Sequence, residues 1–276
     1  MEDSKFTAVI SVYIKDNPEY FDRALKSITT EQTKQPDELL IVADGPLTAE
    51  LDEGISKYQT LLGEKCRVHR CERNGGLGEA RRFAVSTASN PIVAVMDSDD
   101  VSSPDRFESQ LSYLASHPDC DVVGGQITEF VDSEENIVGT RVVPLTHEEV
   151  ASYLKSRCPM NHVTVMMRTK SVIAAGNYQD WHYDEDYFLW VRMTLAGCNF
   201  ANLPDVLVNV RVGADMYQRR GGWKYFKSEA KLQKYMLEHK LIGFPRYVYN
   251  VLGRFTVQVA MPNWLRGFVF QKLFRK

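Results

Sequence analysis

The sequence predicts an α/β fold in which a mostly parallel sheet is flanked by helices, followed by a helical appendage at the C-terminus. Three observations carry this reading. Short β-branched and apolar runs alternate with amphipathic segments over roughly the first 100 residues, the rhythm of strand–helix–strand units. The strand runs are almost continuously apolar, as expected of strands covered on both faces. Polar or acidic residues follow three of them, which puts chemistry at the carboxyl edge of the sheet, where such folds bind ligands.

The elements follow in order. Residues 6–13, Phe-Thr-Ala-Val-Ile-Ser-Val-Tyr, read as a first strand. Asp16-Asn17-Pro18 breaks it and opens a helix over 19–30, with Phe21, Leu25 and Ile28 on one face. A second strand, 38–43, ends at Asp44-Gly45-Pro46. A helix over 51–62, a short strand over 67–70 and a helix over 78–88 lead to the apolar run 91–96. After about residue 120 the rhythm changes. Residues 121–127 and 137–143 form a predicted hairpin through the polar turn 132–136, residues 163–167 form a short strand, and 187–196 form a helix opened by Asp184-Glu185-Asp186. No internal repeat is present. The division expected is 1–120 and 121–212 as two halves of one catalytic domain, with 213–276 as an extension.

Composition narrows the function. The chain has 276 residues, a net charge of −3 and an ordinary hydrophobic share of 44%, so neither disorder nor general nucleic-acid binding is expected. Five scattered cysteines without a C-x-x-C pair read as reduced thiols, not as a zinc site. The acidic start, Met1-Glu2-Asp3-Ser4-Lys5, is not that of a signal peptide, and no stretch approaches the roughly 20 apolar residues of a membrane-spanning helix. A cytoplasmic protein is expected.

Asp97-Ser98-Asp99-Asp100 is the most informative segment. Three carboxylates at the exposed end of a buried strand repel one another, and a hard divalent cation such as Mg²⁺ or Mn²⁺, shared with a phosphate, relieves that repulsion. The other reading is an acidic turn capping a helix begun by Pro104-Asp105-Arg106. The residues Tyr13 to Asp16, Asp44 and Asp97 to Asp100 fall on one sheet edge. Asn74-Gly75-Gly76 gives a turn through which backbone approaches a ligand, but the lysine and hydroxyl residue of a P-loop do not follow.

Taken in series, these segments resemble the family 2 glycosyltransferases, which carry the GT-A fold. The matching residues are Ser11-Val12-Tyr13, Ile41-Val42-Ala43-Asp44-Gly45, Asn74 to Arg81, the Asp97-Ser98-Asp99-Asp100 box, Pro104-Asp105-Arg106-Phe107, Asn161-His162, Gly176-Asn177-Tyr178 and Glu185-Asp186-Tyr187-Phe188-Leu189-Trp190. The resemblance spans roughly residues 5 to 212. One departure is Ala43, where the family often has an aspartate before the one at Asp44.

The resemblance implies an inverting transferase that takes a sugar from a nucleotide-sugar donor, with a UDP-sugar favoured. Its implied acceptor is a saccharide or lipid-linked oligosaccharide in bacterial capsule, exopolysaccharide or O-antigen assembly, at the inner face of the cell membrane. It assigns Val12, Tyr13, Asp44, Asn74, Arg81, Asp97 and Ser98 to the nucleotide, and Asp99 with Asp97 to Mn²⁺ or Mg²⁺. Asp186 is the implied base, with Glu185, Trp181, His182 and His162 toward the acceptor and Trp190 in the core. Asp100 either supports the metal ligands or caps a helix. Arg211 either binds diphosphate or pairs with a carboxylate at the sheet edge. The alternatives are a sugar nucleotidyltransferase and a catalytically silent membrane-associated assembly protein.

From residue 246 to 276 there are six Lys or Arg and no Asp or Glu, interleaved with bulky apolar residues. This segment either lies in an anionic membrane interface or docks as a helix on the catalytic domain.

Overall fold

The structure, a computed structural model, describes residues 5–213 and 222–261. The first half is as expected. β1 (Phe6–Val12), β2 (Glu38–Ala43), β3 (Cys66–Arg70) and β4 (Ile92–Met96) pair in parallel in the order β3-β2-β1-β4. α1 (Pro18–Ser27), α2 (Ala49–Leu62) and α3 (Leu77–Thr87) make the crossovers. α1 starts where Asn17 accepts hydrogen bonds from the Glu19 and Tyr20 amides, with Pro18 in its first turn. It stops short of the expected residue 30. The Ser27 and Thr29 hydroxyls donate to the Ala24 and Leu25 carbonyls, the local competition by which such residues loosen a helix end.

The period-2 alternation of the strands divides the core into two layers. Ile10, Leu39, Ile41 and Met96 face α1 and α2, packing on Phe21, Leu25 and Ile55. Val9, Leu40, Val42 and Val95 face the other way, onto Ala80 and Ala84 of α3 and onto α7 (Glu185–Leu195). Seven consecutive residues of α7, from Tyr187 to Met193, are buried, so this helix is enclosed on all sides.

The second half is mixed, and the parallel character does not extend through it. The remaining strands are β5 (Val101–Ser102), β6 (Cys120–Phe130), β7 (Ile137–Arg141), β8 (Met166–Arg168) and β9 (Asn199–Arg211). The sheet continues from β4 as β8-β6-β9-β5, with β7 paired to β6 as the predicted hairpin. Of these pairs only β6/β9 is parallel. The helices here are α4 (Arg106–Ser116), α5 (His147–Leu154) and α6 (Thr169–Ala174). Part of the strand expected over 163–167 is a helical turn, His162–Thr164, which precedes β8.

α8 (Trp223–Glu238) docks on the domain, burying Leu232 and Met236 in the layer around α7. α9 (Phe244–Phe255) packs on α8 and turns an apolar face outward, with Phe244 66%, Tyr249 72% and Leu252 60% exposed. Among the described residues no helix is long and apolar enough to cross a membrane. The most basic part of the predicted interfacial segment, 262–276, lies outside the described residues.

Candidate active site

The acidic box closes β4, and the chain brings Asp16 beside it from the turn after β1. Asp16 Oδ2 accepts from the Ser98 hydroxyl at 2.8 Å and from the Tyr13 amide at 3.1 Å. Burial, Asp97 and Asp16 together push the Asp99 carboxyl up to about 6 from its ordinary 3.8. Asp100 is buried and also raised, and its Oδ1 accepts from the Arg211 amide at 2.8 Å. Asp100 therefore ties β4 to the end of β9 and does not cap α4. The Arg211 guanidinium donates to the Asp99 and Asp132 carbonyls and lies over the Tyr20 ring, 3.7 Å from its centroid. Beneath the box, Arg106 is fully buried and donates to the Val95 carbonyl at 2.7 Å.

Among the described residues no group of three or more His, Cys, Asp or Glu side chains converges on one point. Two carboxylates under mutual repulsion nevertheless suit a hard divalent ion that takes its remaining oxygens from a diphosphate and water. Asp97 and Asp99 therefore fit the role the sequence assigned them.

Asp44, after β2, does something the sequence did not indicate. Its Oδ1 accepts from the Gly75 amide at 2.7 Å and its Oδ2 from the Gly76 amide at 3.0 Å, while Asn74 Nδ2 donates to the Asp44 carbonyl at 3.3 Å. The carboxylate thus pins the glycine turn that leads into α3. Gly45 makes the approach possible. It sits at φ +92°, and a Cβ there would lie 2.8 Å from the Asn74 nitrogen. Gly45→Ala is expected to cost about 1–3 kcal/mol and to weaken nucleotide binding, read by urea unfolding and by UDP titration. Unchanged values in both would show that the turn tolerates displacement.

From α3, Arg81 reaches across the site. This buried guanidinium contacts Asp97 Oδ1 at 2.7 Å and Glu185 Oε1 at 3.3 Å, linking the acidic box to the start of α7. Burial and Asp186 push the Glu185 carboxyl up, and Arg81 pulls it back. The neighbouring Asp186 accepts from the Tyr187 amide at 2.7 Å through Oδ1, and the Cys158 thiol lies 3.7 Å from Oδ2. Burial and Asp186 push that thiol well above its ordinary range, so it stays protonated beside the carboxylate.

Other predicted site residues fall elsewhere. The Val12 side chain is in the core, and its carbonyl accepts from the Asp44 amide at 2.8 Å. Trp181, expected toward the acceptor, is 9% exposed; it packs on Phe188 and donates to the Ser228 carbonyl at 3.3 Å, so it anchors α8. His162 lies below the site with Nε2 2.7 Å from the Tyr178 hydroxyl, and burial with Arg81 and Arg106 nearby drives its pKa well down, keeping it neutral. His182 rests against Tyr183, and its carbonyl accepts from the Ser228 hydroxyl at 2.7 Å. Tyr13 is exposed at the edge, and Trp190 is fully buried as expected.

A cavity of about 590 Å³ opens beside Asp186, between α7 and the helices α8 and α9. Cys158, Asp184 and arginines from three separate segments line it. Nothing in the linear sequence marked it. Asp16 was visible at the sheet edge, but only its contact with Ser98 places it in the carboxylate cluster.

This mixed sheet, with its acidic box at the end of β4, is the GT-A architecture. It matches TarS of S. aureus, solved with UDP-GlcNAc, with a TM-score of 0.67 over 91% of this chain and 72% of that one at 18% identity. It also matches a mannosyltransferase of Pyrobaculum calidifontis solved with GDP-Man and Mn²⁺, with a TM-score of 0.63 over 95% and 72% at 14% identity. Residues 7–176 match the family described as glycosyl transferase family 2, and the chain belongs to that family. It is a glycosyltransferase, which removes the nucleotidyltransferase alternative. It is 37% identical over 97% of its length to the amylovoran biosynthesis glycosyltransferase AmsE of Erwinia amylovora, covering 98% of that protein. It is 32% identical over 99% of its length to the UDP-Gal:alpha-D-GlcNAc-diphosphoundecaprenol beta-1,3-galactosyltransferase of Escherichia coli, covering 97% of it.

Proposed function

We propose that the chain is a metal-dependent, inverting glycosyltransferase that moves a sugar from a UDP-sugar to a lipid-linked saccharide in the assembly of a bacterial surface polysaccharide. The observation that carries this reading is the Arg81 bridge, which joins the metal-box carboxylate Asp97 to Glu185, the immediate neighbour of Asp186. Donor chemistry and acceptor chemistry are thereby held in one fixed frame. The names of the E. coli and Erwinia relatives and the UDP-GlcNAc complex of TarS support the choice of donor, acceptor and pathway class.

In this reading the turn at Asn74–Gly76 and the edge residues Tyr13, Asp16 and Ser98 receive the nucleotide. Asp97 and Asp99 would hold Mn²⁺ or Mg²⁺, which when bound would supply positive charge against the diphosphate leaving group. Asp186 takes the proton from the acceptor hydroxyl as that oxygen attacks the anomeric carbon on the face opposite the leaving group. Glu185, held by Arg81, orients the acceptor. Residues 1–120 serve the donor, 121–212 the acceptor, and 213–276 the approach to the membrane. The exposed Phe244, Tyr249 and Leu252 of α9 suit an interfacial contact at the cytoplasmic face.

Titration with UDP, with and without Mn²⁺, tests the donor site. Mn²⁺ is expected to tighten UDP binding at pH 7.5 and to do so less at pH 5.5. Below about 6 a proton occupies Asp99 and must be displaced by the metal; above it the carboxylate is free. Asp99→Asn should abolish the metal response at both pH values. A Mn²⁺ effect that is equal at both pH values, or intact in Asp99→Asn, excludes Asp99 as the ligand.

A further inference from the structure

We propose that Asn250 and Arg254 of α9 are positioning residues for Asp186: they hold the segment after α5 so that the Cys158 thiol keeps the Asp186 carboxylate in place. The inference rests on the reading of Asp186 as the base and adds what fixes it. α5 ends at Leu154, and the carbonyls at a helix end have no partners within the helix. Here side chains from elsewhere take them. The Tyr187 hydroxyl donates to the Leu154 carbonyl, Asn250 Nδ2 to that of Lys155 at 2.8 Å, and Arg254 Nη2 to that of Ser156 at 2.7 Å. Arg141 Nη2 donates to the Cys158 carbonyl at 2.9 Å. Groups from α7, α9 and the end of β7 thus fix a segment that is neither helix nor strand.

The fixed segment ends against the base. Cys158 Sγ lies 3.7 Å from Asp186 Oδ2 and 3.6 Å from the Met160 carbonyl. The thiol stays protonated and has one hydrogen to give, and a charged acceptor is favoured over a neutral one. The Tyr187 amide donates to the other oxygen, Oδ1, at 2.7 Å. Asp186 is therefore held by one donor from its own helix and one from this segment. A base must stand within hydrogen-bond reach of the proton it takes, and a displacement of about 1 Å can cost on the order of 10²-fold in rate.

The way α9 docks supports this role. The residue it buries is polar: Asn250 donates to Gln233 Oε1 of α8 at 2.7 Å as well as to the Lys155 carbonyl. One turn on, Arg254 Nε lies 3.0 Å from Glu229 Oε2, also of α8. An apolar side chain at position 250 would pack the two helices without choosing one arrangement. The amide, satisfied on both sides, selects the arrangement in which α8, α9 and the segment before Cys158 are joined.

The first arm of the test needs no substrate. The full chain is alkylated with iodoacetamide at mildly alkaline pH, and the rate is read by peptide mass at Cys158 and, as reference, at Cys71, both half-buried free thiols. Asn250→Ala is expected to speed alkylation of Cys158 about tenfold and to leave Cys71 unchanged. Asp186→Asn should speed it too, because the thiolate is the nucleophile and the neighbouring charge that opposes it is gone. A Cys158 rate unchanged in either variant overturns the proposal. If Asn250→Ala speeds every cysteine, the variant has unfolded, and Arg254→Lys, which keeps a cation opposite Glu229, replaces it with the same expected result. The second arm is sugar transfer from labelled donor. Cys158→Ala is expected to lower kcat about tenfold with acceptor KM and UDP affinity within about twofold, and Cys158→Ser to recover most of the loss, since a hydroxyl donates to the same oxygen. The double variant of Asn250→Ala and Cys158→Ala should fall no further than the lower single variant, because both act through one contact. Additive losses, or a Cys158→Ala enzyme within about twofold of wild type, overturn the proposal. Transfer that is lost in Asp186→Asn but kept in Cys158→Ala refutes this inference alone, whereas transfer that survives Asp186→Asn refutes the reading of the base.

Discussion

Asp186→Asn is expected to lower kcat by about 10²–10⁴-fold, with UDP affinity held within about twofold. The substitution is close to isosteric, and the amide oxygen can still accept from the Tyr187 amide, so the start of α7 keeps its geometry. On the proposed mechanism, what is lost is the oxygen that would take the proton. Glu185 is a poor substitute because Arg81 holds it and its position is fixed. Glu185→Gln should therefore act mainly on acceptor KM and leave most of kcat. Sugar transfer measured with labelled donor, alongside UDP titration of both variants, separates the two roles. An Asp186→Asn enzyme within about fivefold of wild type would move the base elsewhere in the cavity.

The legible parts of this fold were those where one physical rule acted alone. β1, β2 and β4 are buried on both faces, so each reads as an unbroken apolar run, and the acidic residues after them mark the carboxyl edge without ambiguity. β9 was not read as a strand. Pro204 and Asp205 interrupt its pattern midway, where the pairing with β6 also shifts register. The aromatic residues around Asp184 to Asp186 were ambiguous for a different reason. A tryptophan beside a carboxylate suits both a sugar face and a helix contact, and Trp181 takes the second role because α8, far along the chain, covers it. Asp44 announced itself as a site residue, but its two oxygens go to backbone amides 31 and 32 positions away. The arginine-lined cavity was illegible because its walls come from β7, the segment after α5, and α9. Spacing in sequence carries no trace of that convergence.

Arg81→Met is expected to destabilise the metal-free protein by about 3–5 kcal/mol, the largest stability effect among these substitutions. Methionine keeps much of the stem's volume against α3 and β4, so the loss is chiefly electrostatic. It leaves Glu185 with little exposure and no cation, and it leaves Asp97 facing Asp99 and Asp16. Arg81→Lys restores charge but not the fork that reaches both carboxylates at once, and should recover only part of the stability. Mn²⁺ gives the experiment its discriminating arm. If Asp97 shares the metal, added Mn²⁺ supplies a second cation and should recover more stability in Arg81→Met than in wild type, while Glu185 stays uncompensated. Urea unfolding of the three proteins with and without Mn²⁺ reads both effects. A Met variant within about 1 kcal/mol of wild type would mean that the two carboxylates are stabilised independently, and that Arg81 does not couple the end of β4 to the start of α7.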